Sequence, residues 1–566
     1  MKEVVISSYL TRTMRYTYLA LAIIATACRP ATAPVPVPPS GVSRPAALPA
    51  IPLVDGPLNP RVVYPQANQM IQSKDSTFIL GSVGNGRATL TINGQAVAVK
   101  PNGAFLAFVA NPPPTAPQYD LVVALGADTA RVTQPVRVAG MVVPVPDSLK
   151  ERTPPPQPPP APPPPTVVDT TPTWVVLGDS VNVATDTDRV VIGRPAPNET
   201  YRWFLIPGTR VQLTARYPGY ARVRLDSALQ IWVQAADAKT FATDTIAPRR
   251  IAGNSRVRPS ADYSDLVIPM SERPPFFVEE RARSLELTLY DTRGNTDLVT
   301  YPTSDSLIRH VEWAQERSDR VRYTVHLSEE PFGFLAMYEN GAFILRVRRK
   351  PSPLAVDARR TTQADAGRTT QADVPRTTYG PLVGLTIAID PGHPPAGATG
   401  PTGFYEGDAV LPVGFILKRI LEERGANVVM TRTTRDVVEL ALRPVIARRA
   451  GAHAFVSLHY NAYGDGVNPL RQPNGMEVYF YRPHSEQLAR AVQSELVREQ
   501  PLDDQGVHYR SLAVVRTSWM PAILVEGGYI IIPEQENAMR TEPFQERYAR
   551  GIADGLESYF RALRSR

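Results

Sequence analysis

Two histidines and two glutamates in the last third of the chain stand where such side chains can hold and use a metal ion. His393 follows the apolar run Leu385, Ile387, Ala388 and Ile389 and the turn dipeptide Pro391-Gly392. His459 follows Ala454-Phe455-Val456-Ser457-Leu458, and Glu526 follows Ala522-Ile523-Leu524-Val525. Short apolar runs bounded by turn signals read as buried strands, so all three polar residues leave strand ends. Glu406 opens a helix whose apolar stripe is Val413, Ile416, Leu417, Ile420 and Leu421. Two imidazoles and one carboxylate are the donors of a catalytic zinc, which keeps a further position for water. The metal brings that water's pKa to about 7. A second carboxylate nearby can take its proton and pass it to a leaving amine. Four such groups on four elements do not read as chance burial, because an unpaired buried glutamate is costly.

The elements that must position them alternate. Asn427–Met430 and Met476–Tyr481 read as further strands, and Leu440–Ala450 and Phe544–Phe560 as helices. Strands alternating with helices predict an α/β domain with a largely parallel sheet over residues 384–566. Ligands bind such sheets at the carboxyl ends of the strands.

Six stretches lie in one order: Asp390-Pro391-Gly392-His393, Gly403-Phe404-Tyr405-Glu406, Thr431-Arg432, Leu442-Arg443, Ser457-Leu458-His459-Tyr460-Asn461-Ala462 and Leu524-Val525-Glu526-Gly527-Gly528-Tyr529. In them, residues 384–562 resemble the zinc-dependent N-acetylmuramoyl-L-alanine amidases. The resemblance implies cleavage of the amide between N-acetylmuramic acid and L-alanine in peptidoglycan. It implies zinc ligation by His393, Glu406 and His459, with Glu526 as the catalytic carboxylate. The chain departs from the family at Pro394-Pro395, where glycines are usual and where a stiffer loop is expected. It departs again at Ile530-Ile531-Ile532-Pro533, an apolar patch expected to reshape the peptide side of the cleft. No long insertion separates Asn461 from Gly475, so the site is expected to be open unless other domains restrain it. The same donor set would serve a zinc peptidase acting on the stem peptide. A non-catalytic wall-binding lipoprotein would be favoured only if a ligand or Glu526 were missing, and none is.

Other polar residues read more plainly. Asp390 and Asn461 are expected to orient the ligating histidines or to form turns rather than to ligate. Arg443 either binds a substrate carboxylate or has a helix-surface or core-capping role. His453, His484 and His508 lack ligand-like placement and read as surface residues, and His310 and His326 as structural or surface residues. Asp408 and Asp436 fall at helix-start or loop positions, where carboxylates satisfy free N–H groups.

The remainder of the 566 residues prepares and positions this domain. The 58 prolines cluster, so linkers are expected between compact pieces. The net charge of +7 favours anionic partners, but no basic stripe interleaved with aromatics is present, and no nucleic-acid partner is expected. Residues 1–28 read as an export signal. Its apolar run is about half of the ~20 residues that span a membrane. Cys28, the sole cysteine, follows Ala25-Thr26-Ala27 as in a bacterial lipoprotein signal, although Ala25 stands where Leu or Val is commoner. Lipidation at Cys28 would give a periplasmic protein anchored to a membrane; cleavage after Ala27 is the other outcome. A single cysteine excludes an intrachain disulfide. Then follow a Pro-rich tether (29–60), an immunoglobulin-like β-sandwich (61–142), a polyproline linker (143–172), a module resembling bacterial SH3-like domains (173–245), a sandwich resembling the targeting domain of cell-wall amidases (246–350) and a flexible repeat linker (351–383). The fold expected is therefore multidomain, several small all-β modules preceding the α/β domain. A protein activator or divisome partner could dock on those modules.

Overall fold

The computed structural model describes residues 47–138, 166–178, 190–240, 247–351 and 380–564. All of them fall in the compact unit Arg44–Arg566. The export signal with Cys28, the tether up to residue 46, the polyproline run and the Arg-Thr-Thr-Gln repeats lie outside the described residues. Among the described residues no helix is long and apolar enough to cross a membrane.

In the C-terminal domain, β1 (Thr386–Pro391), β2 (Asn427–Met430), β3 (Ala454–Asn461), β4 (Met476–Phe480), β5 (Asp504–Tyr509) and β6 (Ala522–Tyr529) build a six-stranded sheet ordered β2-β1-β3-β6-β4-β5. β2, β1, β3 and β6 pair in parallel, β4 runs antiparallel to β6, and β5 is parallel to β4. The helices are α1 (Glu406–Glu423), α2 (Leu442–Arg449), α3 (Glu486–Glu499), α4 (Pro533–Met539) and α5 (Glu542–Arg564).

Alternation along the strands decides which face each residue meets. Ile387, Ile389, Val456, Leu458, Ile523 and Val525 share one core with Leu417 of α1, Leu496 of α3 and Leu556 of α5. Ala388, Phe455, Ala522 and Leu524 belong to a second, smaller core with Ala447 of α2. The next residues of the same parity are Asp390, Ser457, His459 and Glu526. The strands do not stop at those residues as expected: β3 continues through His459 to Asn461, and β6 through Glu526 to Tyr529. The small-core face therefore turns polar at the carboxyl end of the sheet.

The preceding segments, taken by themselves, are built of strands. The first has a three-stranded sheet (Arg61–Tyr64, Ser76–Ser82, Ala104–Ala110) and a four-stranded one (Thr89–Ile92, Gln95–Val97, Gln118–Leu125, Asp128–Pro135). Asn93 and Gly94, at φ of 50° and 80°, make the tight hairpin turn that their types favour. Strand Ser76–Ser82 is buried on both faces. Ile79 joins the module's own core with Phe105, whereas Phe78 and Leu80, with Leu106, enter the core of the α/β domain. Ile530, Ile531 and Ile532 lie in that same core. The apolar patch is thus interior, not a wall of the cleft as expected. The segment between Asn461 and Gly475 is contacted as well: the Gln72 backbone N–H donates to Asp465 Oδ2 at 2.9 Å.

The strands of residues 168–239 and 251–348 share one continuous core, from Val175 to Val347. Arg348, which is buried, crosses to the α/β domain and donates to the carbonyls of Ala452 (2.6 Å) and Gly451 (3.2 Å). His484 is not on the surface as expected: its Nδ1 meets Glu280 Oε2 at 2.7 Å, and both side chains are nearly inaccessible. His453 also has a partner, its Nδ1 accepting from the Thr386 N–H at 3.0 Å.

Replacing the inaccessible Leu80 removes part of a core shared by two domains. Leu80→Ala is expected to cost about 2–5 kcal/mol, read as a lowered urea midpoint followed by the fluorescence of the α/β domain.

Candidate metal centre

Beyond β1 the chain turns tightly beneath His459. A Cβ on Gly392 would lie 2.3 Å from His459 Cε1, so glycine is required for the approach. His393 follows at φ 54°, in the left-handed region that non-glycine residues seldom occupy. Two buried arginines hold the loop there. Arg432 donates from Nε to Pro391 O (2.7 Å) and from Nη2 to Gly392 O (2.8 Å) and Gly407 O (2.6 Å). Arg443 donates to Pro391 O (3.1 Å) and Pro394 O (2.7 Å).

The hydrogen bonds fix which imidazole nitrogens carry protons. His393 Nδ1 faces the Pro395 carbonyl at 3.0 Å; a carbonyl only accepts, so Nδ1 is protonated and Nε2 keeps a lone pair. The backbone carbonyls of Pro394 and Pro395 thus hold the loop and orient the ring. His459 Nε2 faces Ser457 Oγ at 3.2 Å. That hydroxyl donates its own proton to Asp390 Oδ2 at 2.6 Å, so it accepts from Nε2, and Nδ1 of His459 keeps the lone pair.

Both lone pairs converge on Glu406. Its Oε1 is 3.1 Å from His393 Nε2 and 2.9 Å from His459 Nδ1, and the three atoms lie within 4.8 Å of one another. The Tyr460 N–H (3.1 Å) and the Ala398 N–H (2.9 Å) anchor the carboxylate. Three acceptors pointed at one another are stable only with a proton or a cation between them. Burial pulls His393 down, but Glu406 more than reverses this and raises its pKa above the ordinary value. Burial would raise Glu406, yet the two imidazoles hold its carboxyl well below the usual carboxylate range. Two neutral imidazole nitrogens and a carboxylate suit a divalent ion of the zinc type, with a position left open.

Asp390 and Arg443 do not reach this convergence. Asp390 is inaccessible and accepts from Thr431 Oγ1, Ser457 Oγ and Arg443 Nη1 (2.8 Å). Arg443 is equally buried, so the substrate-binding option for it falls away and its role is the internal one. Asn461 does not touch either histidine: it donates to Glu477 Oε1, and its Oδ1 accepts from the Ala462 N–H.

Glu526 lies directly across β3–β6 from His459. Its Oε2 is buried without a hydrogen-bond partner among the described residues. Burial, then the charges of Glu406 and Glu477, push its carboxyl well above the ordinary value, against a weaker pull from Arg510. Glu477, opposite Glu526 on β4, was not singled out in the sequence, where it reads as one polar residue in an alternating strand. His508, expected on the surface, keeps a 44% exposed side chain and pairs with Glu477 Oε2 at 3.0 Å. His459, Glu526 and Glu477 thus stand opposite one another on three adjacent strands, and His508 reaches Glu477 from two positions along the fourth.

Residues 387–558 match the family described as N-acetylmuramoyl-L-alanine amidase. A probable cell wall amidase LytH of Staphylococcus epidermidis is 32% identical over 184 residues, 32% of this chain and 60% of that protein. Its Staphylococcus aureus counterpart is 33% identical over 186 residues, with the same shares of each chain. The chain thus spans 60% of the length of these curated relatives. Among solved structures, N-acetylmuramoyl-L-alanine amidase AmiC2 of Nostoc punctiforme is 36% identical, with 31% of this chain and 97% of that chain covered and a TM-score of 0.30.

Asp390→Asn would leave Arg443 as a buried charge without its counter-ion. A loss of about 3–5 kcal/mol is expected, measured as unfolding free energy in urea.

Proposed function

We propose, from a domain at residues 387–558 that belongs to the N-acetylmuramoyl-L-alanine amidase family, that this chain hydrolyses the amide joining N-acetylmuramic acid to L-alanine in peptidoglycan. Zinc would be held by His393 Nε2, Glu406 Oε1 and His459 Nδ1. The observation that carries this reading is the convergence of those three acceptors beside a buried carboxylate with an unpaired oxygen. Bound there, zinc supplies a Lewis acid and lowers the pKa of water.

The remaining chemistry falls to Glu526. Its raised pKa suits a group that takes a proton and gives it back. The water oxygen bonds to the lactyl carbonyl carbon and the C–N bond breaks. The proton removed by Glu526 goes to the departing alanine nitrogen, so the products are a free carboxylate and a free amine. Glu477, held by Asn461 and His508, adds negative charge beside Glu526 and favours its protonated form.

The rest of the chain fits export toward that substrate. We read residues 1–28 as the signal, Cys28 as the lipid attachment point, and residues 61–142 together with 173–245 and 246–350, the last two joined by one core, as β modules that position the domain in the periplasm on the wall or on a protein activator.

The test is the exported chain, zinc-loaded and incubated with muropeptides, with products read by mass spectrometry. Intact stem peptides bearing a free L-alanine amine are expected, and Glu526→Gln is expected to slow their release about 10²–10⁴-fold while zinc stays bound. Cuts within the stem peptide would make the enzyme a peptidase instead.

Protons compete with the metal for His393 Nε2. Because Glu406 raises that pKa, the competition begins at higher pH than for a free imidazole. Zinc affinity is expected to weaken as pH falls through the raised value, about tenfold per unit once below it, measured by competition with a chromophoric chelator.

A further inference from the structure

A second His-Glu-His trio lies on a β module, outside the site just described. Strands Ile308–Arg317 and Arg320–Leu327 pair antiparallel, with His310 directly opposite His326. The register slips by one residue between Ile308 and His310. Such a bulge re-aims side chains, and here it brings His310 to the outward face beside Glu312 and His326 while Ile308 stays buried. Glu312 Oε1 is 3.0 Å from His310 Nε2 and 3.5 Å from His326 Nε2. The three atoms lie within 4.8 Å of one another, as they do in the trio of His393, Glu406 and His459. Ligands about 2.0–2.2 Å from a tetrahedral zinc stand roughly 3.3 Å apart, so these spacings suit one ion.

The neighbours do not account for the trio otherwise. His326 Nε2 is hidden from solvent and makes no hydrogen bond; Glu312 Oε1 faces it at 3.5 Å. The nearby Arg322 is committed to Glu286 (2.9 Å) and Glu316 (2.7 Å), and among the described residues Glu312 faces the two histidines and no lysine or arginine within ion-pair distance. The imidazoles stack with centroids 4.2 Å apart and an interplanar angle of 12°. Lone pairs in parallel rings do not meet at one point, so binding requires one ring to rotate. His310, whose side chain is exposed, has room to do so while Glu312 stays beside it.

We propose that His310, Glu312 and His326 form a second metal site, on the outer face of this β module, for a divalent transition ion with nitrogen and oxygen preference such as zinc. Three side chains from two strands leave coordination positions open to solvent, where water or an external carboxylate completes the shell.

The exported chain is dialysed to equilibrium against buffered free zinc, and bound metal is counted by mass spectrometry of the elements. The proposal expects two ions per wild-type chain, one in His326→Ala, one in His459→Ala and none in the double variant. A wild-type chain that holds one ion, lost in His459→Ala and kept in His326→Ala, overturns the second site and leaves the proposed catalytic one intact. One ion kept in His459→Ala and lost in His326→Ala upholds the second site and overturns the first. His326 is on the module's outward face, so His326→Ala is expected to fold; His326→Gln and His459→Gln repeat the measurement with the ring's volume largely retained.

Discussion

The candidate centre depends on one buried carboxylate that touches none of the converging atoms. Asp390 is inaccessible to solvent, where an unpaired charge would cost several kcal/mol. Its oxygens are satisfied by Arg443, Ser457 and Thr431. Each partner then acts elsewhere. Arg443 goes on to hold the Pro391 and Pro394 carbonyls and with them the loop that carries His393. Ser457, its proton committed to Asp390, can only accept from His459 and so turns the other nitrogen of that ring toward Glu406. One charge therefore fixes the loop position of one histidine and the tautomer of the other.

Strand alternation supplies the rest of the constraint. A period of two puts Asp390, Ser457, His459, Glu526 and Glu477 on one face, with Ile389, Leu458, Val525 and Val478 of the intervening parity in the opposite core. The apolar side anchors each strand, and the polar side collects charges on neighbours in register. A shift of one residue in any strand would exchange the sets. The same logic operates in Ser76–Ser82, where one parity builds the module's core and the other builds the joint with the α/β domain.

Residues whose placement follows from local pattern were legible in the sequence. The apolar runs before His393, His459 and Glu526 and the helical stripe after Glu406 are local, and the structure brings all four residues to the same end of the sheet. Contacts made by the far side of a residue were not legible. Ile530-Ile531-Ile532 gives no sign that it shares a core with Phe78, Leu80 and Leu106, more than 400 positions earlier. Arg443 left two options open because an arginine on a short helix carries no mark of an inaccessible carboxylate beneath it. Strand β5 lacks an apolar run, since it is an edge held mainly by its pairing with β4, and Asp504-Gln505-Gly506 reads as a loop. Glu477 and His508 become visible only when β4 and β5 are placed beside β6.

The two His-Glu-His trios share spacing and differ in what stands behind them. At His393 and His459 the second ring nitrogen of each imidazole has a fixed partner, and Glu406 is held by two backbone N–H groups. Rings so held lose little freedom when an ion arrives. At His310 and His326 no hydrogen bond orients the far nitrogens among the described residues, and the rings rest stacked on each other. An ion there must first open the stack and order an exposed side chain, which lowers affinity without changing the donor set. An ion at the buried trio would thus meet donors already oriented, and an ion at the surface trio would exchange more readily with the surrounding medium.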